Sequence, residues 1–106
     1  MPPQFAVYRN QHRRNRRAFP FVVDVQTDLL KELDTCVVIP LTSAPALIEF
    51  PLMHLMPTIT FEGRPYVLVT PQLAGLERAR LGPHVGSVAE HWHAITFAVE
   101  FLLRGF

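Results

Sequence analysis

Ser87-Val88-Ala89-Glu90-His91-Trp92-His93-Ala94-Ile95-Thr96-Phe97-Ala98-Val99-Glu100-Phe101-Leu102-Leu103-Arg104-Gly105-Phe106 is the longest stretch in the sequence with a helical pattern. Ser87 and Glu90 have capping-box spacing, in which a hydroxyl takes a first-turn N–H and the Glu reaches back to the cap. A helix is therefore predicted to start at Ser87. No Gly or Pro occurs from Trp92 to Leu103, and Gly105 stands where a left-handed stop residue is common, so the helix is predicted to end near Arg104. A surface helix needs one apolar stripe about 100° wide. This one has two: Trp92, Ile95, Val99 and Leu102 on one face, and Ala94, Phe97, Ala98 and Phe101 beside it, with Thr96, Glu100 and the histidines as the polar edge. The excess implies that one stripe meets a sheet and the other a second subunit or a partner. The alternative is burial of both in the chain's own core.

The residues before this helix have the pattern of strands. Gln4 to Tyr8 alternates, Asn10 to Asn15 is a polar turn, and Phe19 to Val25 is a second strand whose Pro20 points to an edge or a bulge. The pair forms a hairpin with an arginine-rich tip. Gln26 to Asp34 is too weakly patterned for a helix and is taken as a loop. Thr35 to Ile39 is an apolar run ended by Pro40, as an internal strand would be. A turn follows at Thr42 to Pro45, then the apolar Leu47 to Leu55 with Pro51 inside it. Thr58 to Phe61 and Tyr66 to Thr70 form a second hairpin around Glu62-Gly63-Arg64-Pro65. Pro71, Gly75, Gly82, Pro83 and Gly86 then mark a connection of irregular structure. The order, strands first and one helix last, predicts a mainly β fold: a small antiparallel sheet or barrel with a C-terminal helix.

The 106 residues, 49% of them apolar, suit one domain spanning 1–106, able to bury roughly two-thirds of its unfolded surface. No basic segment leads into an apolar one near Met1, and no run approaches the roughly 18 to 20 apolar residues that span a bilayer. The expectation is a cytoplasmic protein with no membrane contact. Cys36, the single cysteine, cannot form an intramolecular disulfide, and its apolar surroundings suggest a core residue. The net charge is +1, yet Arg9, Arg13, Arg14, Arg16 and Arg17 supply half of the ten basic residues; the rest of the chain carries five basic against nine acidic residues, or −4. This cluster is either a solvated loop or an electrostatic handle for an acidic partner.

Catalytic chemistry is hard to find. His91 and His93 are two apart and would point to opposite sides of a helix, and His54 and His84 lack Cys or acidic companions at ligand spacing. Neither a metal nor a cofactor is expected. No phosphate-cradling Gly-rich loop, GxSxG or HExxH occurs. His12 and the nearby arginines could touch phosphates, but they come without a paired acid and base.

Gln4-Phe5-Ala6-Val7-Tyr8, Val23-Asp24-Val25-Gln26-Thr27-Asp28-Leu29-Leu30, Val38-Ile39-Pro40-Leu41-Thr42-Ser43-Ala44, Leu55-Met56-Pro57-Thr58-Ile59, the strand ending Val69-Thr70, and Arg104-Gly105-Phe106 together resemble the CcdB family of toxins. The DVQ-x-D and VIPL segments are the most specific, and the likeness covers essentially the whole chain. It implies an SH3-like barrel of antiparallel strands, shared with MazF-type ribonuclease toxins, and a homodimer. It further implies a non-enzymatic toxin of a type II toxin–antitoxin pair. Such a toxin binds the DNA gyrase A subunit, traps its cleaved complex with DNA, and is neutralised by a CcdA-like antitoxin whose disordered segment folds onto it.

By this resemblance Glu100, Phe101, Leu102, Arg104, Gly105 and Phe106 are the gyrase contacts. Leu29 and Leu30 match an apolar pair in a loop used for antitoxin and gyrase contacts; as bare residues they are also compatible with ordinary core. With Arg13, Arg14, Arg16 and Arg17 they form the candidate antitoxin surface. Two positions depart from the family. Arg104 stands where an exposed Trp usually stacks on a gyrase arginine, turning a cation-attracting ring into a cation. Glu100 replaces the usual Asn and lies i,i+4 from Arg104, a spacing for a surface ion pair worth about 0.3–0.5 kcal/mol. The departures leave two further readings: an attenuated homologue that binds antitoxin and autoregulates its operon without poisoning gyrase, and an endoribonuclease of the MazF-like fold.

Overall fold

A computed structural model describes residues 2–12, 14–43 and 52–105. The candidate contacts Arg13 and Phe106, and the first part of the apolar stretch predicted from Leu47, lie outside the described residues. Seven strands and one α-helix are described: β1 (Ala6–Arg9), β2 (Phe21–Asp24), β3 (Thr35–Thr42), β4 (Thr58–Phe61), β5 (Arg64–Leu68), β6 (Ala74–Glu77), β7 (His84–Ser87) and α1 (Trp92–Arg104). The strands form one antiparallel sheet in the order β4-β5-β3-β2-β1-β7, with β6 joined to β3. The fold is mainly β with a C-terminal helix.

The long strand β3 organises the sheet. It pairs with β2 through Val38 to Leu41, with β6 through Thr35 to Val38, and with β5 through Leu41 and Thr42. Two short neighbours thus share one edge of β3, and the sheet bends where they part. The bend carries β4 and β7, the two ends of the strand order, toward each other: a Cβ added at Gly86 on β7 would stand 2.7 Å from the Phe61 ring on β4. His91 Nε2 accepts the Thr60 N–H at 3.2 Å across the same seam. The result is a half-barrel.

The inside of the curl is filled by Val7, Val23, Ile39, Leu41, Ile59, Phe61, Tyr66 and Leu68, closed at one end by Val88, Ile95 and Ala98. Each fully buried aliphatic side chain contributes about 1.5–3 kcal/mol relative to exposure. Phe21 meets Phe61 and Tyr66 edge to face, at centroid distances of 5.2 and 5.5 Å. A second cluster lies on the opposite face of the sheet, where Ala6, Tyr8, Val22, Cys36 and Val38 are covered by Leu76 and Leu81. This explains why Ala6, Val7 and Tyr8 are buried in succession although strand side chains alternate.

Several predicted boundaries change. Ser87 is the last residue of β7, and its Oγ accepts the Ala89 N–H at 3.1 Å; Ala89–His91 is a 3-10 turn and α1 proper starts at Trp92. The predicted capping box therefore starts a tight turn rather than the α-helix. Pro20 precedes β2, which is interior and not an edge strand. Pro40 lies within β3 instead of ending it, because its missing N–H is not required there and its carbonyl accepts the Val69 N–H at 2.9 Å. The connection predicted as irregular holds β6 and β7, whose short sequences Ala-Gly-Leu-Glu and His-Val-Gly-Ser carry no strong apolar alternation. The Gln26 to Asp34 loop contains one 3-10 turn at Asp28–Leu30. The two-residue turn of Glu62 and Gly63 has φ of 51° and 76°, the left-handed pair that a tight hairpin between β4 and β5 needs.

Candidate interaction surface

Residues 27–35 are all exposed, and Leu29 is 90% so. The core alternative for Leu29 and Leu30 is thereby overturned. Large apolar side chains held in water are informative when a defined structure holds them there. Here the Thr27 hydroxyl accepts the Leu29 N–H at 3.3 Å and begins the 3-10 turn. Asp28 Oδ1 accepts the Gln4 N–H at 2.8 Å, which fastens the turn to the segment before β1.

The terminal helix presents a second exposed apolar group. Ile95 and Ala98 are buried and Val99 is half-buried, so the inward face draws on both predicted stripes. Trp92, Ala94, Phe97 and Leu102 remain exposed, and Phe101 is half-buried. His54 lies 5.5 Å from the Phe97 ring and 6.5 Å from that of Phe101, so part of this face is covered by the chain itself. Glu100 and Arg104 are exposed, and Gly105, at φ 80°, ends the helix with its N–H on the Phe101 carbonyl at 2.8 Å. Leu103, 75% exposed, was missing from the sequence-derived set. Its signal was present, because it follows Glu100 by three residues and Thr96 by seven and so puts a leucine on the polar edge.

The arginine-rich connection between β1 and β2 has a defined shape. Asn10 Nδ2 donates to Asn15 Oδ1 at 2.9 Å and to the Phe19 carbonyl at 2.7 Å, and Asn10 Oδ1 accepts the His12 N–H at 3.0 Å. Arg14, Arg16 and Arg17 are exposed beyond this brace. Grooves on either side of Arg9, Asn10 and Gln11 add His12 and Arg80 to one wall and Arg16 to the other, with no carboxylate among the described residues that line them. Arg80 joins this basic face only through β6 and the turn after it, neither of which has a clear pattern in the sequence.

The three groups are held by different parts of the fold: the Leu29 loop by Gln4 and the end of β2, the helix end by the core, the basic tip by asparagines. What they offer is contact area and charge. Among the described residues no group of three or more His, Cys, Asp or Glu is arranged to hold a metal. Burial pushes the Asp24 carboxyl above the usual carboxylate range, opposed by the Gln26 N–H bond and by Arg78. The Cys36 thiol and the Tyr8 hydroxyl on the same face are also pushed up by burial, with Asp24 adding to both. Among the described residues no helix is long and apolar enough to cross a membrane.

No curated protein matches the sequence. A family model described as CcdB protein matches residues 4–105, a span that includes the strands, both candidate loops and the terminal helix. The chain belongs to the CcdB family.

Proposed function

We propose that this chain is the toxin of a type II toxin–antitoxin pair, a single non-enzymatic domain that acts in the cytoplasm as a homodimer on the DNA gyrase A subunit. The observation that carries the reading is the pairing of the family match over 4–105 with two solvent-facing leucine sites, Leu29 at 90% and Leu103 at 75% exposure. Apolar side chains held this far into water on braced backbone are suited to burial against a partner. Gyrase A contacts would come from Glu100, Phe101, Leu102, Leu103, Arg104, Gly105 and Phe106, and from Leu29 and Leu30. The antitoxin's acidic segment would meet Arg13, Arg14, Arg16 and Arg17 together with the Leu29 loop, which makes its binding salt-sensitive.

Arg104 sets the terms of the gyrase contact. If docking follows the family, Arg104→Trp strengthens binding to a gyrase A subunit that presents arginine, because an aromatic face replaces a like charge. Calorimetric titration of both chains with that subunit tests this. An unchanged or weaker affinity for Arg104→Trp contradicts the docking mode. The same residue favours one other reading, an attenuated toxin that binds antitoxin and no longer poisons gyrase.

A further inference from the structure

The segment Asp24-Val25-Gln26-Thr27-Asp28, which in the sequence serves only to mark the family, is a set of tethers in the structure. Asp24 Oδ1 accepts the Gln26 N–H at 2.9 Å. Gln26 then spans the base of the loop: its Oε1 accepts the Val37 N–H at 3.2 Å, and its Nε2 donates to the Thr35 carbonyl at 3.1 Å and to the Leu30 carbonyl at 3.4 Å. Arg78, far along the chain, completes the arrangement. Its Nη1 lies 3.7 Å from Asp24 Oδ2, its Nε donates to the Leu33 carbonyl at 2.7 Å, and its own N–H donates to the Asp34 carbonyl at 2.7 Å.

These bonds matter because polar contacts, with the Gln4–Asp28 bond among them, hold the loop in place of buried side chains. None of residues 27–35 is buried, so apolar packing does not fix where Leu29 and Leu30 stand. The ion pair at its root is shielded, with the Asp24 and Arg78 side chains only 5% and 15% exposed. A buried ion pair contributes little net stability against an apolar replacement, and its best-attested use is to specify geometry. One guanidinium here joins a strand carboxylate to a loop carbonyl, a two-ended link that the point charge of a lysine would reproduce poorly.

We propose that Asp24, Gln26 and Arg78 are positioning residues that fix the Leu29–Leu30 loop in its partner-binding conformation, and so set affinity without touching the partner. The proposal rests on the reading of that loop as a contact surface. Its test separates the two. In Asp24→Asn/Arg78→Met the ion pair and the Leu33 tether are lost together, no unpaired buried charge is left behind, and the Asn oxygen can still accept the Gln26 N–H.

Amide hydrogen exchange of the intact chain is expected to be about tenfold faster at Leu30, Lys31 and Leu33 in this variant, with a smaller change at Val23, Ile39 and Leu41. Equal acceleration of loop and core, or none in the loop, overturns the proposal. Titration with purified gyrase A subunit supplies the second arm, comparing wild type, Leu29→Ala, the double variant and all three changes combined. Positioning through the leucines predicts that the combined chain binds no more weakly than the worse of its parents, because the two losses share one cause. Fully additive losses overturn the proposal. If Leu29→Ala alone leaves binding unchanged, the contact reading fails instead, and hydrogen exchange alone decides whether the tethers hold the loop.

Discussion

Phe61 on β4 lies so close to Gly86 on β7 that a Cβ at Gly86 would stand 2.7 Å from the ring's Cε1. β4 and β7 are the two ends of the strand order, so this contact is where the curled sheet meets itself. The ring cannot easily withdraw, since Phe21 packs edge-on against it at 5.2 Å. Gly86→Ala is predicted to destabilise the protein by about 1–3 kcal/mol through overpacking. Urea denaturation checks this, and Phe61→Leu in the Gly86→Ala background should recover part of the loss.

The alternations of Thr58 to Phe61 and the apolar run before Pro40 were readable because those strands bury large side chains in register. β6 and β7 were not, for they contribute backbone pairing and a close approach at Gly86 rather than an apolar pattern. Pro40 misled for a related reason: proline usually stops a strand, but here β3 needs only its carbonyl. At the candidate surface, the Leu29–Leu30 loop and the helix end were found through their likeness to a family. Their exposure, and the roles of Leu103, Arg80 and Arg78, depend on which segments the fold brings side by side.

Asp24 gives the protein a pH dependence with a defined sign. Its carboxyl titrates above the usual range because burial disfavours the charged form, the Gln26 and Arg78 contacts notwithstanding. The folded state therefore holds this proton more tightly than the unfolded one. The stability it contributes is full below the unfolded value of about 3.9 and is lost as pH rises through the raised folded value. Measured by urea unfolding across the acid range, wild type should lose ground to Asp24→Asn as pH rises over that window. A gain with rising pH would contradict the burial account.

Cys36 should be inert while the protein is folded. It is fully buried, and its thiol is pushed up by burial and by Asp24, so little thiolate forms and none is accessible. A thiol reagent at neutral pH is expected to label it only at the rate of unfolding. Rapid labelling without loss of structure would show that the cover of Leu76 and Leu81 opens locally.

Leu103 and Ile95 lie on the same helix but should separate binding from stability. Leu103 is 75% exposed and Ile95 is fully buried. Leu103→Gln is predicted to leave the unfolding free energy within about 0.5 kcal/mol, yet to weaken partner binding. Ile95→Ala should cost about 2–5 kcal/mol in stability. Parallel denaturation and gyrase A titration measure both.

The central claim, that this fold poisons gyrase, is tested most directly by a DNA cleavage assay with gyrase from the source organism and with a second bacterial gyrase. The account predicts that linear DNA accumulates with the native enzyme when the folded protein is added, and that Leu103→Gln reduces it. No linear DNA with either enzyme, from protein shown to be folded and dimeric, would contradict gyrase poisoning and leave antitoxin binding as the remaining role.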